Sequence, residues 1–154
     1  MRKPLTSPKT TRHLDALRGL VTGDTPPPPI AKLVGFTAKH VELGASVMAL
    51  DASARHANPM GTLHGGVICD VADAAMGIAF ATTLEDDETF TTLDLTAKYF
   101  KPIWNAQLLA SAKVVKRTRT LGLIECEVTD EGGALVAKIY SSCMVLRGQD
   151  ARGR

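Results

Sequence analysis

The chain has 154 residues, enough for one hydrophobic core and too few for two full domains. Hydrophobic residues make up 45% and charged residues 22%, a balance that excludes wholesale disorder. Lys and Arg total 18 against 16 Asp and Glu, and a net charge of +2 is too small to point to nucleic acid or a membrane surface.

Residues 11–21 set Leu14, Leu17, Leu20 and Val21 on one face of a short amphipathic helix, stopped by Gly23 and Asp24. Pro26, Pro27, Pro28 and Pro29 form a run that favours polyproline geometry and acts as a stiff spacer. Residues 1–29 therefore read as an N-terminal helix and spacer appended to a globular body of residues 30–147, with 148–154 a polar, frayed tail. Within the body, Phe36–Glu42 and Ala45–Ala52 read as strands about Leu43 and Gly44. Residues 53–63 read as a loop, with Asn58, Pro59 and Gly61 as turn residues. Residues 65–82 read as a helix and 85–88 as an acidic turn. Four more strands are expected over 90–100, 107–117, Leu121–Thr129 and 134–146. Alternation is visible in Leu93, Leu95, Ala97 and Tyr99 and again in Leu108, Ala110, Ala112 and Val114. Gly132 and Gly133 mark a hairpin turn.

One long helix with a run of antiparallel strands is an α+β pattern. The helix lacks a polar face, and a helix that is apolar all round is buried all round. In a chain this small, a sheet must curl about it and something must cover its remaining side; a second copy is the simplest cover. No stretch reaches the roughly 18 apolar residues of a membrane span, because Asp70 and Asp73 break the richest one. The first residues lack the apolar core of a secretory signal. Cys69, Cys126 and Cys143 are widely spaced, which fits neither a disulfide framework nor a zinc knuckle and suits a reducing, cytoplasmic setting. His40, His56 and His64 lack metal-ligand spacing, so no metal is expected.

The chemistry concentrates around Asn58, His64, Gly65, Gly66, Asp70 and Asp73. Gly65 and Gly66 lie where a loop enters the helix. A helix N-terminus carries unpaired amides and partial positive charge, and glycine lets a ligand approach them, so this place suits an oxyanion. Burying a carboxylate costs several kcal/mol unless it is paired or neutral. Asp73 lies too deep to complement the helix dipole, whereas Asp70 can do so. A carboxylate beside an oxyanion site points to attack on an ester or thioester, as nucleophile or as base for water. Gly65 and Asp73 are eight residues apart, about 12 Å of helical rise. Reacting groups must meet within about 3–3.5 Å. If the two cooperate, Asp73 of one protomer must face Gly65 of another.

At these residues the sequence resembles the hotdog-fold acyl-CoA thioesterases, in particular the phenylacetate-pathway and 4-hydroxybenzoyl-CoA thioesterase-like group. The resemblance runs over residues 34–146. It rests on the Asn58 loop, on His64, Gly65 and Gly66, on the acid nine residues after the histidine, and on Tyr99 with Pro102. It implies an antiparallel sheet wrapped around one long central helix, in a homo-oligomer, dimer or tetramer, with sites at the protomer interface. By position it implies Asp73 as nucleophile or base and the Gly65 amide as the carbonyl-polarising donor. Asn58 would place the carbonyl or water, His64 would hold the loop, and Thr92 would lie near the water. The implied reaction is hydrolysis of an acyl-CoA to free acid and CoA. It needs no cofactor, because coenzyme A is part of the substrate. Gly66, Arg55, Arg117 and Met76 are the candidate substrate contacts: the arginines for the CoA phosphates, Met76 for the acyl pocket, although core packing is the plainer reading of Met76. Arg117 belongs to a basic cluster with Lys113, Lys116 and Arg119, for which a solvated strand edge is the plainer reading. Two other functions fit the same residues. One is an enoyl-thioester hydratase or dehydratase in which His64 and Asp73 share acid–base work. The other is an acyl-CoA-binding module without turnover.

Overall fold

The 17-residue helix Gly65–Ala81 organises the molecule. The computed structural model describes residues 12–152. In chain order these form α1 (Arg12–Thr22), α2 (Pro29–Val34), β1 (Phe36–Glu42), β2 (Ala45–Ala52), α3 (Gly65–Ala81), β3 (Glu88–Tyr99), β4 (Ala106–Arg117), β5 (Leu121–Thr129) and β6 (Leu135–Arg147). The six strands make one antiparallel sheet in the order β1-β2-β4-β5-β6-β3. All six contact α3. This is the α+β hotdog arrangement, an antiparallel sheet around a central helix.

Small residues explain how closely the helix seats. Ala72, Ala75 and Ala79 are fully buried along one face, and Val71, Met76 and Phe80 fill the space on either side. They pack against Leu50, Leu108, Ile124 and Ile139 from the sheet. Burial of each such large side chain contributes about 1.5–3 kcal/mol.

Strand β3 departs from the simple alternation. Its pairing with β6 slips between Thr92 and Asp94, so Leu93 is an extra residue in the ladder. The bulge is held by Asp94, whose Oδ1 accepts from the Ser142 amide (2.9 Å) and whose carbonyl accepts from Ser141 Oγ (2.8 Å). The slip inverts the phase of the strand. Phe90 precedes it and Leu95 and Ala97 follow it, and all three pack on the core, while Leu93 is left exposed. Thr92 shares the parity of Phe90 and so faces α3.

Two segments are more structured than the sequence suggests. Pro29, expected to end a spacer, is the first residue of α2, where a missing N–H is harmless and φ is already helical. Gly148–Ala151 forms a short 3-10 turn in the expected polar tail. Helix α1 packs on β1 and touches α3. The cover expected from a second copy is thus partly supplied by the chain itself.

Candidate active site

The site begins at the first turn of α3. His64 caps it: its Nδ1 accepts from the Gly66 amide at 2.9 Å. A Cβ on Gly66 would lie 2.9 Å from that same nitrogen, so the cap and the glycine require each other. The His64 amide donates to the His56 carbonyl (2.9 Å), which pins the loop to the helix. The Gly65 amide has no acceptor among the described residues, as expected for an orphan donor of a helix start. Its carbonyl accepts from the Tyr99 hydroxyl at 2.9 Å. A Cβ there would come within 3.1 Å of the Tyr99 ring and hydroxyl. Tyr99 also lies 3.0 Å from Cys69 Sγ, and burial together with that thiol pushes the phenol up to about 12. Tyr99 thereby buttresses the turn that presents the free amide.

Asn58 builds the preceding loop. Its Oδ1 accepts from the amides of Met60 (2.9 Å) and Thr62 (3.2 Å), and its Nδ2 donates to Thr62 Oγ1 (2.8 Å). Both ends of its amide are therefore engaged within the turn.

Asp73 lies two turns further along α3. Its Oδ1 faces Thr92 Oγ1 at 3.5 Å, the outer limit of a hydrogen bond. The bulge in β3 makes this meeting possible. The carboxyl is half-buried at the edge of a largely apolar cavity of about 460 Å³. Burial raises its pKa above the ordinary carboxylate value; Thr92 opposes that shift and the like charge of Asp70 adds to it. Gly65 belongs to a different cavity, shared with Tyr99, Phe100 and Lys101. Within one chain the amide and the acid do not open into one space.

The expected substrate contacts fare differently. Met76 is 1% exposed and belongs to the core, because it is on the sheet-facing side of α3 and not the cavity side; the acyl-pocket reading is corrected accordingly. Arg117 is corrected too. Its Nη2 bonds Glu88 Oε2 at 2.8 Å and its guanidinium stacks 5.5 Å over Phe80, so it ties β3 to β4 instead of presenting charge to a phosphate. Arg147 completes the pair on Glu88. Arg55 is exposed, but its Nη2 donates to the Val34 carbonyl (2.8 Å) and its Nε to His56 (3.0 Å), which joins the loop to the end of α2. Lys113 pairs with Glu125 at 2.9 Å. Among the described residues no group of three His, Cys, Asp or Glu is placed to hold a metal, and no helix is long and apolar enough to cross a membrane.

Three residues carry roles that sequence spacing does not reveal. The Tyr99 lock spans 34 positions, and only the fold brings it to Gly65. Leu17 and Leu20 of α1 line the cavity beside Asp73, which their amphipathic spacing alone does not locate.

Comparison with known proteins identifies the family and fold. Residues 60–137 match the family model of the thioesterase superfamily. The 1,4-dihydroxy-2-naphthoyl-CoA hydrolase of Listeria monocytogenes is 28% identical over 116 residues, covering 75% of this chain and 93% of that protein. A point mutant of the phenylacetic acid degradation protein PaaI from Thermus thermophilus superposes with a TM-score of 0.71 at 29% identity, covering 76% of this chain and 98% of its own. A thioesterase of Haemophilus influenzae, 19% identical, shares the fold with a TM-score of 0.77 over 88% of this chain and 94% of its own. The family match spans half of the sequence, a stretch that includes His64, Gly65, Asp73 and Thr92 at the helix start and the half-buried acid: the chain belongs to the thioesterase superfamily and is a thioester hydrolase.

Proposed function

We propose that this thioesterase hydrolyses an acyl-CoA to free acid and CoA at a site shared by two protomers, with Asp73 as the base. The carrying observation is the half-buried Asp73 carboxyl, lifted above its ordinary pKa, facing Thr92 at the edge of an apolar cavity. Asp73 takes a proton from a water positioned with the help of Thr92. The resulting hydroxide oxygen bonds the thioester carbon, and the carbonyl oxygen becomes an oxyanion that accepts from the Gly65 amide of the other protomer. The C–S bond then breaks, and the thiolate leaves and takes up the proton as CoA. Asn58 and His64 act on the loop that presents that amide. Gly66 acts by admitting the His64 cap.

A homodimer is supported by the separation of Gly65 and Asp73 into two cavities and by β3, a 12-residue strand at the sheet's edge. The exposed apolar side chains of Val115, Leu123 and Tyr140 on neighbouring strands support further pairing into a tetramer. Three free cysteines, two of them buried, fit a reducing cytoplasm. The CoA-hydrolase activity named for the Listeria relative favours a CoA thioester as substrate.

The test is thiol release from a panel of acyl-CoAs by the full chain and by Asp73→Asn. Thiol release by the native chain that Asp73→Asn abolishes upholds the reading. Undiminished turnover by the variant removes Asp73 from the reaction. Water addition to an enoyl-CoA without thiol release would make the protein a hydratase, and tight binding without any turnover would make it an acyl-CoA carrier.

A further inference from the structure

The cavity beside Asp73 has an unusual roof. Its floor is the side of α3 formed by Ala74, Gly77 and Ile78, and its wall includes Phe36 and Phe90. The roof comes from the N-terminal segment: Leu17 and Leu20 of α1, Pro27 and Pro28 of the proline run, and Ile30 of α2. That segment is fastened to the body at its start and folded back on itself beyond α1. At its start, His13 Nε2 lies 3.2 Å from the Glu85 carbonyl, and the Arg12 amide donates to Asp86 Oδ1 at 3.4 Å, so α1 is attached to the turn after α3. Beyond α1, the chain folds back on that helix through Gly23, whose φ of 88° suits glycine. Thr25 Oγ1 then donates to the Ala16 carbonyl at 2.8 Å. Gly19 permits that return, because a Cβ there would lie 2.3 Å from the Thr25 hydroxyl oxygen. The roof is a built element with specific fastenings.

We propose that residues 12–30 are the acyl-selectivity element of this enzyme: their apolar side chains close the chamber that begins at Asp73 and Thr92, and they select a bulky, uncharged acyl group. This rests on the reading of Asp73 as the catalytic base. Size and chemistry both argue for it. A cavity of about 150 Å³ accommodates benzene. The chamber here is about 460 Å³, room for a bicyclic aromatic or medium-length aliphatic acyl group. Among the described residues its lining contains no Lys, Arg or His, and Asp73 is the one charged group. An acyl chain ending in a carboxylate would lose its hydration without gaining a cation and would face a like charge. In an apolar pocket a single methylene changes selectivity about tenfold or more. The side chains of α1 are therefore large enough levers to set the acyl preference.

The experiment compares the full chain with Leu17→Trp and Leu20→Trp, which fill the chamber, and Leu17→Ala and Leu20→Ala, which enlarge it. Thiol release is measured with acetyl-, hexanoyl-, decanoyl-, 2-naphthoyl- and succinyl-CoA. The native chain is expected to prefer the decanoyl or naphthoyl substrate over acetyl-CoA and to discriminate against succinyl-CoA. The tryptophan variants are expected to lower the ratio of kcat/KM for naphthoyl- over acetyl-CoA at least tenfold. The alanine variants are expected to move the optimum to a longer chain, which also guards against a tryptophan variant that fails to fold. A second readout avoids turnover: binding of the non-hydrolysable thioethers S-decyl-CoA and S-methyl-CoA, whose Kd ratio should narrow in the tryptophan variants. If the substrate ratios and the Kd ratio are the same in all five proteins, the roof is not the selectivity element. That result, obtained while Asp73→Asn abolishes thiol release, overturns the roof and leaves the catalytic reading standing. Turnover that survives in Asp73→Asn overturns the catalytic reading whatever the profile shows.

Discussion

Asp73 and Glu88 are carboxylates withdrawn from solvent on neighbouring elements, and their surroundings drive them in opposite directions. Glu88 is the more buried, its side chain 5% exposed at the start of β3. Burial alone would raise its pKa. The Glu85 amide and the guanidiniums of Arg147 and Arg117 outweigh that and hold the carboxyl below its ordinary value. Among the described residues no cation pairs with Asp73. Burial raises its pKa, Asp70 adds to the rise, and the long contact with Thr92 only partly offsets it. Burial therefore does not distinguish a structural acid from a reactive one; the partners do. An acid that is enclosed but left unpaired retains the free energy with which it can take a proton.

The contrast is sharpest in Asp73→Asn. Thiol release should fall by about 10²–10⁴-fold, the usual contribution of a general base. Thermal stability should hold or rise slightly, because a raised folded pKa means that ionisation weakens the fold as pH climbs through that value. A large drop in Tm in this variant would break the comparison. Glu88→Gln should do the reverse, costing roughly 2–3 kcal/mol in denaturant unfolding while the folded fraction keeps its turnover. In the native chain the stability contributed by Glu88 is present above its unfolded pKa and lost as pH falls through its depressed folded value; urea midpoints between neutral and acid pH read this out. Thr92→Val should lower kcat about tenfold and move the acidic limb of the pH–rate profile upward, because the hydroxyl that favours the charged Asp73 is gone. Asp70→Asn should give the smallest effect, a downward displacement of the same limb with kcat at high pH nearly preserved, since it removes only a like charge.

Much of the architecture was legible because it follows from periodicity. The apolar surface of α3, interrupted by Asp70 and Asp73, forces a surrounding sheet, and β1, β2 and β5 form over the residues that the turn signals mark out as strands. Strand β3 was harder. Leu93 fits the alternation of Leu95 and Ala97, yet it is exposed, because one inserted residue rotates the strand by half a period. That same rotation brings Thr92 to Asp73, so the feature that defeats the pattern also builds the site. The resemblance implied a place for Thr92 near the site and a loop-holding role for His64; the contact of Thr92 with Asp73 and the His64 cap on Gly66 appear only in the fold. The occupation of Arg117 was not legible either. A dense basic run reads as free charge, and its carboxylate partner is 29 residues away in a stretch that reads as an acidic turn. The roof over the cavity was hidden for a related reason: a helix followed by four prolines looks like a tether, and only Gly19, Gly23 and Thr25 together fold it back.

The placement of the Gly65 amide and the Asp73 carboxyl in separate cavities has a genetic consequence. On the two-protomer reading, each subunit carries two unlike halves, and each half serves the opposite active centre. A protein inactivated at Asp73 and another whose Gly65 amide is displaced by a side chain pressing on Tyr99 should therefore complement one another when unfolded and refolded as a mixture. Random pairing makes half of the dimers hybrid, and each hybrid has one intact centre, so about a quarter of the native activity should return from two inactive parents.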